Sequence, residues 1–121
     1  GTELLRELCE INGPSGFEYK VAEFIKAQTD GLCEYIPDRT GNLICRVRGG
    51  GEGYDAENPK KVMISAQMDE VGFIIKRIGD DGYVHFILDG GIDAKVLSAR
   101  SVTLFNEENI IKGVIAGAVK G

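Results

Sequence analysis

Hydrophobic residues recur at helical spacing at the start of the chain. A first stripe predicts a helix from Thr2 to Ile11, with Thr2 as its cap. A second stripe predicts a helix from about Phe17 to Thr29 that ends before Gly31. Residues 12–16 between them predict a tight turn. The apolar positions of the two stripes are Leu4, Leu5, Leu8 and Ile11, then Val21, Phe24 and Ile25.

The hydrophobic pattern then changes to a period of two residues, which is typical of strands. Cys33 to Ile36 and Leu43 to Val47 predict two strands joined by a turn over residues 38–42. The Gly-rich and acidic residues 49–59 predict a loop. Lys61 to Ala66 is a short apolar run, which predicts a buried central strand.

After Asp69 the pattern is entirely that of β-structure. Two hairpins are predicted, one turning at residues 80–82 and one at residues 106–109. The fold class is therefore α/β, with two helices and three strands in residues 1–69, followed by a small β unit in residues 70–121. A helix-flanked sheet normally needs cover on both faces, so we expect this α/β unit to be part of something larger. The four predicted β-segments are Val71 to Ile78, Tyr83 to Leu88, Ser101 to Phe105 and Ile110 to Ile115.

Composition and charge narrow the class of protein. The chain has 121 residues, with 14 basic and 19 acidic side chains and a net charge of −5. This balance argues against nucleic acid or an anionic membrane surface as a partner, because both need a basic face. No apolar run approaches the roughly 20 residues of a membrane span, and no signal peptide is recognisable, so we expect a cytoplasmic protein.

The cysteines are odd in number and far apart in sequence. Cys9, Cys33 and Cys45 match neither a disulfide framework nor a zinc motif. We therefore expect reduced structural thiols. The single histidine, His85, falls in the middle of a predicted strand, where a surface position is expected rather than a metal ligand.

Candidate chemistry lies just after the run from Lys61 to Ala66. In an open α/β sheet, ligand sites form beyond the carboxyl ends of the strands. Gln67 and Asp69 follow this run with a spacing of two, so on an extended segment both side chains point the same way. The alternatives are structural: an aspartate that caps nearby backbone N–H groups and a buried amide satisfied by its neighbours. Glu70 is expected to be structural or solvated.

Several motifs in order resemble the M42 family of metalloaminopeptidases, which includes glutamyl aminopeptidases and relatives known as endoglucanases. The segment around Gln67-Met68-Asp69 is similar to the family's Ala-His-Met-Asp-Glu-Val-Gly stretch. The resemblance extends over nearly the whole chain. The other matching pieces are residues 12–18, 38–43, 81–83, 90–93 and 112–115.

The resemblance implies a catalytic α/β domain interrupted by a small β-barrel-like domain that is used in dimerisation. It implies a cytoplasmic aminopeptidase with two divalent metal ions, Zn, Co or Mn, that removes N-terminal residues from peptides. Homo-oligomers, including large tetrahedral assemblies, are common in the family. On this basis residues 1–69 form the N-terminal part of the catalytic domain, and residues 70–121 form part of the β dimerisation domain.

Two departures from the family pattern bear on activity. Gln67 stands where the family has a metal-binding His, and a neutral amide is a weaker ligand than imidazole. Asp69 keeps the family's catalytic, His-orienting position, but no imidazole is there for it to orient. The resemblance implies that the family's later ligands, which are the bridging Asp, the Glu-Glu pair, a further Asp and the final His, lie beyond this stretch of sequence. We therefore expect the isolated chain to be inactive and to bind no metal tightly; the alternative is a catalytically dead β-domain interaction or oligomerisation module.

Overall fold

The computed structural model describes residues 1–117 and contains two compact units. The first comprises Gly1–Asp89, and the second begins at Gly90. Compactness alone does not assign domains, so the catalytic and β domains that the sequence divides after Asp69 stay a prediction. Within the described residues, neither helix has the length and apolarity that crossing a membrane requires.

The two predicted helices are confirmed with slightly shorter bounds. Helix α1 spans Thr2–Glu10 and α2 spans Tyr19–Gln28. The expected Thr2 cap is wrong, because Gly1 occupies the cap position and no side chain caps the helix. A turn between the helices is closed by the Phe17 N–H, which donates to the Pro14 carbonyl at 2.8 Å. Gly16 has a φ of +87° at the third position of this turn, the conformation that glycine adopts without strain.

The core of the first unit is small and lies where α2 meets the first turn. Val21 of α2 is 7% exposed and contacts Gly13, which is also buried. Among the residues described in this unit, Val21 is the one buried hydrophobic side chain. The position of the first turn against α2 therefore depends on one close contact.

Strands β1 (Glu34–Ile36) and β2 (Ile44–Arg46) form an antiparallel hairpin, as predicted. In its turn, the Asp38 carboxylate accepts hydrogen bonds from the Thr40 hydroxyl at 2.6 Å and from the Asn42 amide. These two donors, with Thr40 first, lower the pKa of Asp38 to about 2. Both donors favour the charged carboxylate.

The hairpin turn is expected to lose stability in acid. Because the pKa of folded Asp38 is depressed, its contribution is present above the ordinary Asp pKa and is lost as the pH falls toward 2. We expect the Asp38 carboxyl signal in NMR to titrate near pH 2 in the native chain. Replacing both Thr40 and Asn42 with alanine should return this titration toward the ordinary value near 4. A wild-type midpoint near 4 would contradict the hydrogen-bonded turn.

Strands β3 (Gly72–Ile78) and β4 (Val84–Asp89) form the second antiparallel hairpin of this unit. Lys76 is an extra residue between the pairs that Ile75 and Arg77 make, so the strand carries a bulge there. The rings of Phe73 and Phe86 meet edge to face with centroids 4.9 Å apart. This hairpin confirms the predicted strands to within one residue at each end.

The second unit is a hairpin preceded by a short helical turn. A 3-10 helix covers Ala94–Val96, and strands β5 (Ser101–Phe105) and β6 (Ile110–Val114) pair antiparallel. Leu97 and Ile115 are each 6% exposed and are the buried side chains among the residues described in this unit. The predicted strands are confirmed, and the short helix is an addition that the sequence pattern did not indicate.

The predicted central strand from Lys61 to Ala66 is wrong in this structure. Residues 59–69 have neither helix nor strand structure. The side chains of Val62, Met63 and Ile64 are 86%, 89% and 93% exposed. A strand needs a neighbour for its N–H and C=O groups, and no strand in residues 1–117 pairs with this run. The α/β unit therefore contains two strands before Asp69 instead of three.

Candidate functional site

Gln67 and Asp69 lie at the end of the irregular segment that precedes β3. The Gln67 side chain is exposed, and that of Asp69 is half-buried. Asp69 makes no side-chain hydrogen bond to residues 1–117, so it does not act there as a cap for backbone N–H groups. Both side chains are therefore accessible to a ligand, and their roles in metal binding and catalysis stay predictions.

Glu70 fixes the end of this segment to the first turn. Its backbone N–H donates to the Gly13 carbonyl at 3.0 Å, and its carboxylate Oε1 accepts from the Gly13 N–H at 2.8 Å. Pro14 and Glu70 also form a parallel bridge. This confirms the structural interpretation of Glu70, because both hydrogen-bonding groups of Gly13 are used by one residue 57 positions away.

Two glycines allow close backbone approach around the first turn. A Cβ on Gly72 would lie 3.0 Å from the Pro14 Cβ, and a Cβ on Gly13 would lie 2.7 Å from Val21 Cγ2. Gly72 thus lets the start of β3 lie against the first turn, and Gly13 lets α2 lie against the same turn. The segment with Gln67 and Asp69 is thus held at its end by the first turn and continues into β3.

The described residues do not by themselves fit a two-metal centre. Within residues 1–117, no group of three His, Cys, Asp or Glu side chains lies close enough together to hold a metal ion. Gln67 offers an amide oxygen and Asp69 a carboxylate, whereas zinc sites use four ligands, three or four of them from protein.

His85 has the surface position expected from its place in the sequence. It is exposed on β4, and its Nε2 lies 3.1 Å from an Arg77 guanidinium nitrogen on the neighbouring strand. An arginine at that distance opposes a bound cation. His85 is therefore not a candidate ligand.

An open cleft of about 380 Å³ lies between α2 and the β1–β2 hairpin. Lys26, Tyr35, Asp38 and Asn42 are among its lining residues. Asp38 and Asn42 are hydrogen-bonded to each other within the turn. Lys26 is the one cationic residue among those that line the cleft, and this set of side chains does not define a reaction.

A cluster that the sequence did not indicate forms where α2 ends beside the first hairpin. The Cys33 thiol lies 3.9 Å from the Thr29 carbonyl, and the Tyr35 hydroxyl lies 2.8 Å from the Thr29 hydroxyl. Cys45 is paired with Tyr35 across the hairpin. The hairpin turn at residues 38–42 was the available signal, because it brings the residues on either side of it together.

Comparisons with known proteins converge on one family. A family model for M42 glutamyl aminopeptidase matches residues 41–119. The lysyl aminopeptidase of Pyrococcus furiosus is 30% identical over 118 residues, which cover 93% of this chain and 31% of that protein. The glutamyl aminopeptidase of Lactococcus lactis is 32% identical over 117 residues, which cover 95% of this chain and 31% of that protein.

A solved structure agrees with these sequence matches. The TET1 peptidase of Pyrococcus horikoshii, which can assemble into a tetrahedron or a large octahedral shell, superposes with a TM-score of 0.81. It is 32% identical, and the match covers 99% of this chain and 34% of that one. The chain thus spans about a third of the length of the proteins it resembles.

Proposed function

This chain belongs to the M42 peptidase family, and from that premise we propose that it is the N-terminal portion of a dinuclear-metal aminopeptidase that removes N-terminal residues from peptides. The observation that carries the proposal is the segment Gln67-Met68-Asp69 placed next to the first turn by the Glu70–Gly13 hydrogen bonds. The matches to relatives named lysyl and glutamyl aminopeptidase extend over 93% and 95% of this chain.

In this proposal Asp69 is the catalytic residue that orients a ligand, and Gln67 occupies a degenerate metal-ligand position. The metals of the whole enzyme are two divalent ions, Zn, Co or Mn, that would activate water for attack on a peptide bond. Gln67 would contribute at most a neutral amide oxygen to them. The accessibility of both side chains supports these roles.

The same reasoning makes the 121-residue chain inactive by itself. Peptide hydrolysis at two metals needs several carboxylate or imidazole ligands and a general base. Residues 1–117 bring no three such side chains together. The exposed run Val62 to Ile64 supports this view, since we propose that it becomes a paired strand only when the rest of the catalytic domain is present.

Substrate and metal titrations test this assignment. We expect the chain, supplied with Zn²⁺ or Co²⁺, to hydrolyse leucine- and glutamate-nitroanilides no faster than buffer containing the same metal. Isothermal titration should show no tight uptake of two ions. The positive control is a full-length M42 aminopeptidase under the same conditions. Stoichiometric binding of two Zn²⁺ with turnover by this chain would overturn the claim of inactivity.

We further propose that residues 70–121 are part of the family's β-barrel-like dimerisation domain. The whole protein would then be a cytoplasmic homo-oligomer that meets peptide substrates rather than nucleic acid or membranes. The assembly of the Pyrococcus horikoshii relative supports oligomerisation. The net charge of −5 supports the exclusion of polyanionic partners.

A second candidate function is a catalytically dead interaction module. It is favoured by the amide at position 67, since a module that only binds a relative needs no metal ligand there. Size-exclusion chromatography of the chain mixed with a full-length M42 relative separates the two functions. Co-elution without any change in nitroanilide turnover would favour the module, and separate elution would count against it.

A further inference from the structure

We propose that Cys33 and Cys45 form a reversible thiol-modification site that hydroperoxides oxidise to an intramolecular disulfide. This site is independent of the aminopeptidase assignment. It lies where the C-terminal end of α2 meets the β1–β2 hairpin. Cys9 of α1 is exposed and takes no part in it.

The β1–β2 hairpin brings Cys45 next to the start of β1, where Cys33 lies. Cys45 lies directly opposite Tyr35 in the antiparallel pair. Cys33 is two positions before Tyr35 and lies in the bend that leads into β1. Residues directly opposite each other have Cβ atoms about 5 Å apart, so the Cys45 side chain lies beside that of Tyr35. The Cys33 thiol approaches the same place from the bend before β1 and is close enough to Cys45 to raise the pKa of that group.

Hydrogen bonds at the end of α2 hold Cys33 in this position. Its Sγ lies 3.9 Å from the Thr29 carbonyl oxygen. The Tyr35 hydroxyl lies 2.8 Å from the Thr29 hydroxyl and donates to the Lys26 carbonyl at 2.9 Å. The tyrosine ring and the Cys33 thiol are therefore fastened to the same helix end. This limits the ways in which Cys33 can turn away from Cys45.

The pKa values of Cys45 and Tyr35 reflect how close these two residues lie to Cys33. Desolvation, and then the neighbouring Cys33 thiol, raise the pKa of Cys45. For Tyr35, the Thr29 hydroxyl lowers the pKa, but desolvation and the two thiols together raise it above its ordinary value. Because the thiolate is the reactive form, oxidation should be faster at pH 9 than at pH 7.

The oxidation balances with one hydroperoxide for each pair of thiols. One thiolate attacks a peroxide oxygen, the O–O bond breaks, and a sulfenic acid and an alcohol or water result. The second thiol attacks the sulfenic sulfur, the S–S bond forms, and water leaves. Two thiols are oxidised, one peroxide is reduced, and a dithiol reagent reverses the reaction.

Mass spectrometry of the full chain after hydrogen peroxide treatment tests the site. We expect the intact mass to fall by about 2 Da, the two hydrogens that disulfide formation removes, and to recover with dithiothreitol. Non-reducing peptide mapping should link Cys33 to Cys45 and leave Cys9 without a disulfide. The variant Cys9→Ser should behave like wild type, while Cys33→Ser and Cys45→Ser should not lose this mass.

Oxidation in urea separates native geometry from chance closure. Cys33 is 12 positions from Cys45 and 24 from Cys9. In an unfolded chain the shorter loop is favoured only about threefold, by the three-halves power of loop length. In the native chain we expect the ratio of the Cys33–Cys45 disulfide to the Cys9–Cys33 disulfide to be at least ten times the ratio in urea. A native preference no greater than that in urea, a dominant link to Cys9, or only intermolecular disulfides would overturn the proposal.

Discussion

Gly13→Ala is expected to lower the free energy of unfolding of the first unit by about 1–3 kcal/mol, the usual cost of overpacking. The added Cβ would lie 2.7 Å from Val21 Cγ2, closer than carbon atoms approach each other. Valine is branched at Cβ and stiff about χ1, so its methyl group cannot swing aside cheaply. Either α2 or the first turn must move.

Urea unfolding followed by circular dichroism measures this effect. Gly50→Ala is the matched control, because a Cβ at Gly50 meets nothing within 4 Å. We expect the control to leave the unfolding midpoint unchanged. A Gly13→Ala chain as stable as the control would show that the first turn does not pack against Val21 as described. A displaced turn should also weaken the amide protection of Glu70, whose N–H donates to the Gly13 carbonyl.

Gln67→His is expected to create a measurable zinc site beside Asp69. An imidazole at position 67 is a stronger zinc ligand than an amide, and its second N–H could donate to the Asp69 carboxylate. Exposure of the side chain at position 67 means that the substitution disturbs no packing. We expect Zn²⁺ affinity to rise by roughly 10–100-fold, the scale on which ligand environment changes metal binding.

Isothermal titration of Zn²⁺ should be done with all three cysteines replaced by serine, since thiolates compete for zinc. Gln67→Asn is the control and should bind no better than Gln67. Adding Asp69→Asn to Gln67→His should lose much of the gain if Asp69 orients the imidazole. Equal affinities for the histidine and asparagine variants would remove the support for a metal-ligand role at position 67.

The helices and hairpins could be predicted because their determinants are local. Spacing of apolar residues indicates each helix, and turn residues such as Gly82, with a φ of +82°, indicate where strands reverse. The 38–42 turn is an example, since Asp38, Thr40 and Asn42 satisfy one another over five positions. Among these local features, the predicted helix cap was wrong and the short 3-10 helix was missed.

The run from Lys61 to Ala66 shows where the sequence pattern reaches its limit. Its apolar residues indicate a strand, but a strand exists only when another strand supplies hydrogen-bond partners. In residues 1–117 none does, and Val62, Met63 and Ile64 remain exposed. The apolar pattern identified a tendency to form a strand, whereas strand pairing depends on which other strands are present.

The sequence by itself determined the helices, the three hairpins and the family, because each depends on short stretches read in order. Tertiary structure decided which distant groups meet. It joined Glu70 to Gly13 through two hydrogen bonds and brought Cys33 toward Cys45. Glu70 and Gly13 are 57 positions apart, so no local pattern indicates their contact, whereas the predicted turn at residues 38–42 was a signal for the approach of the two cysteines.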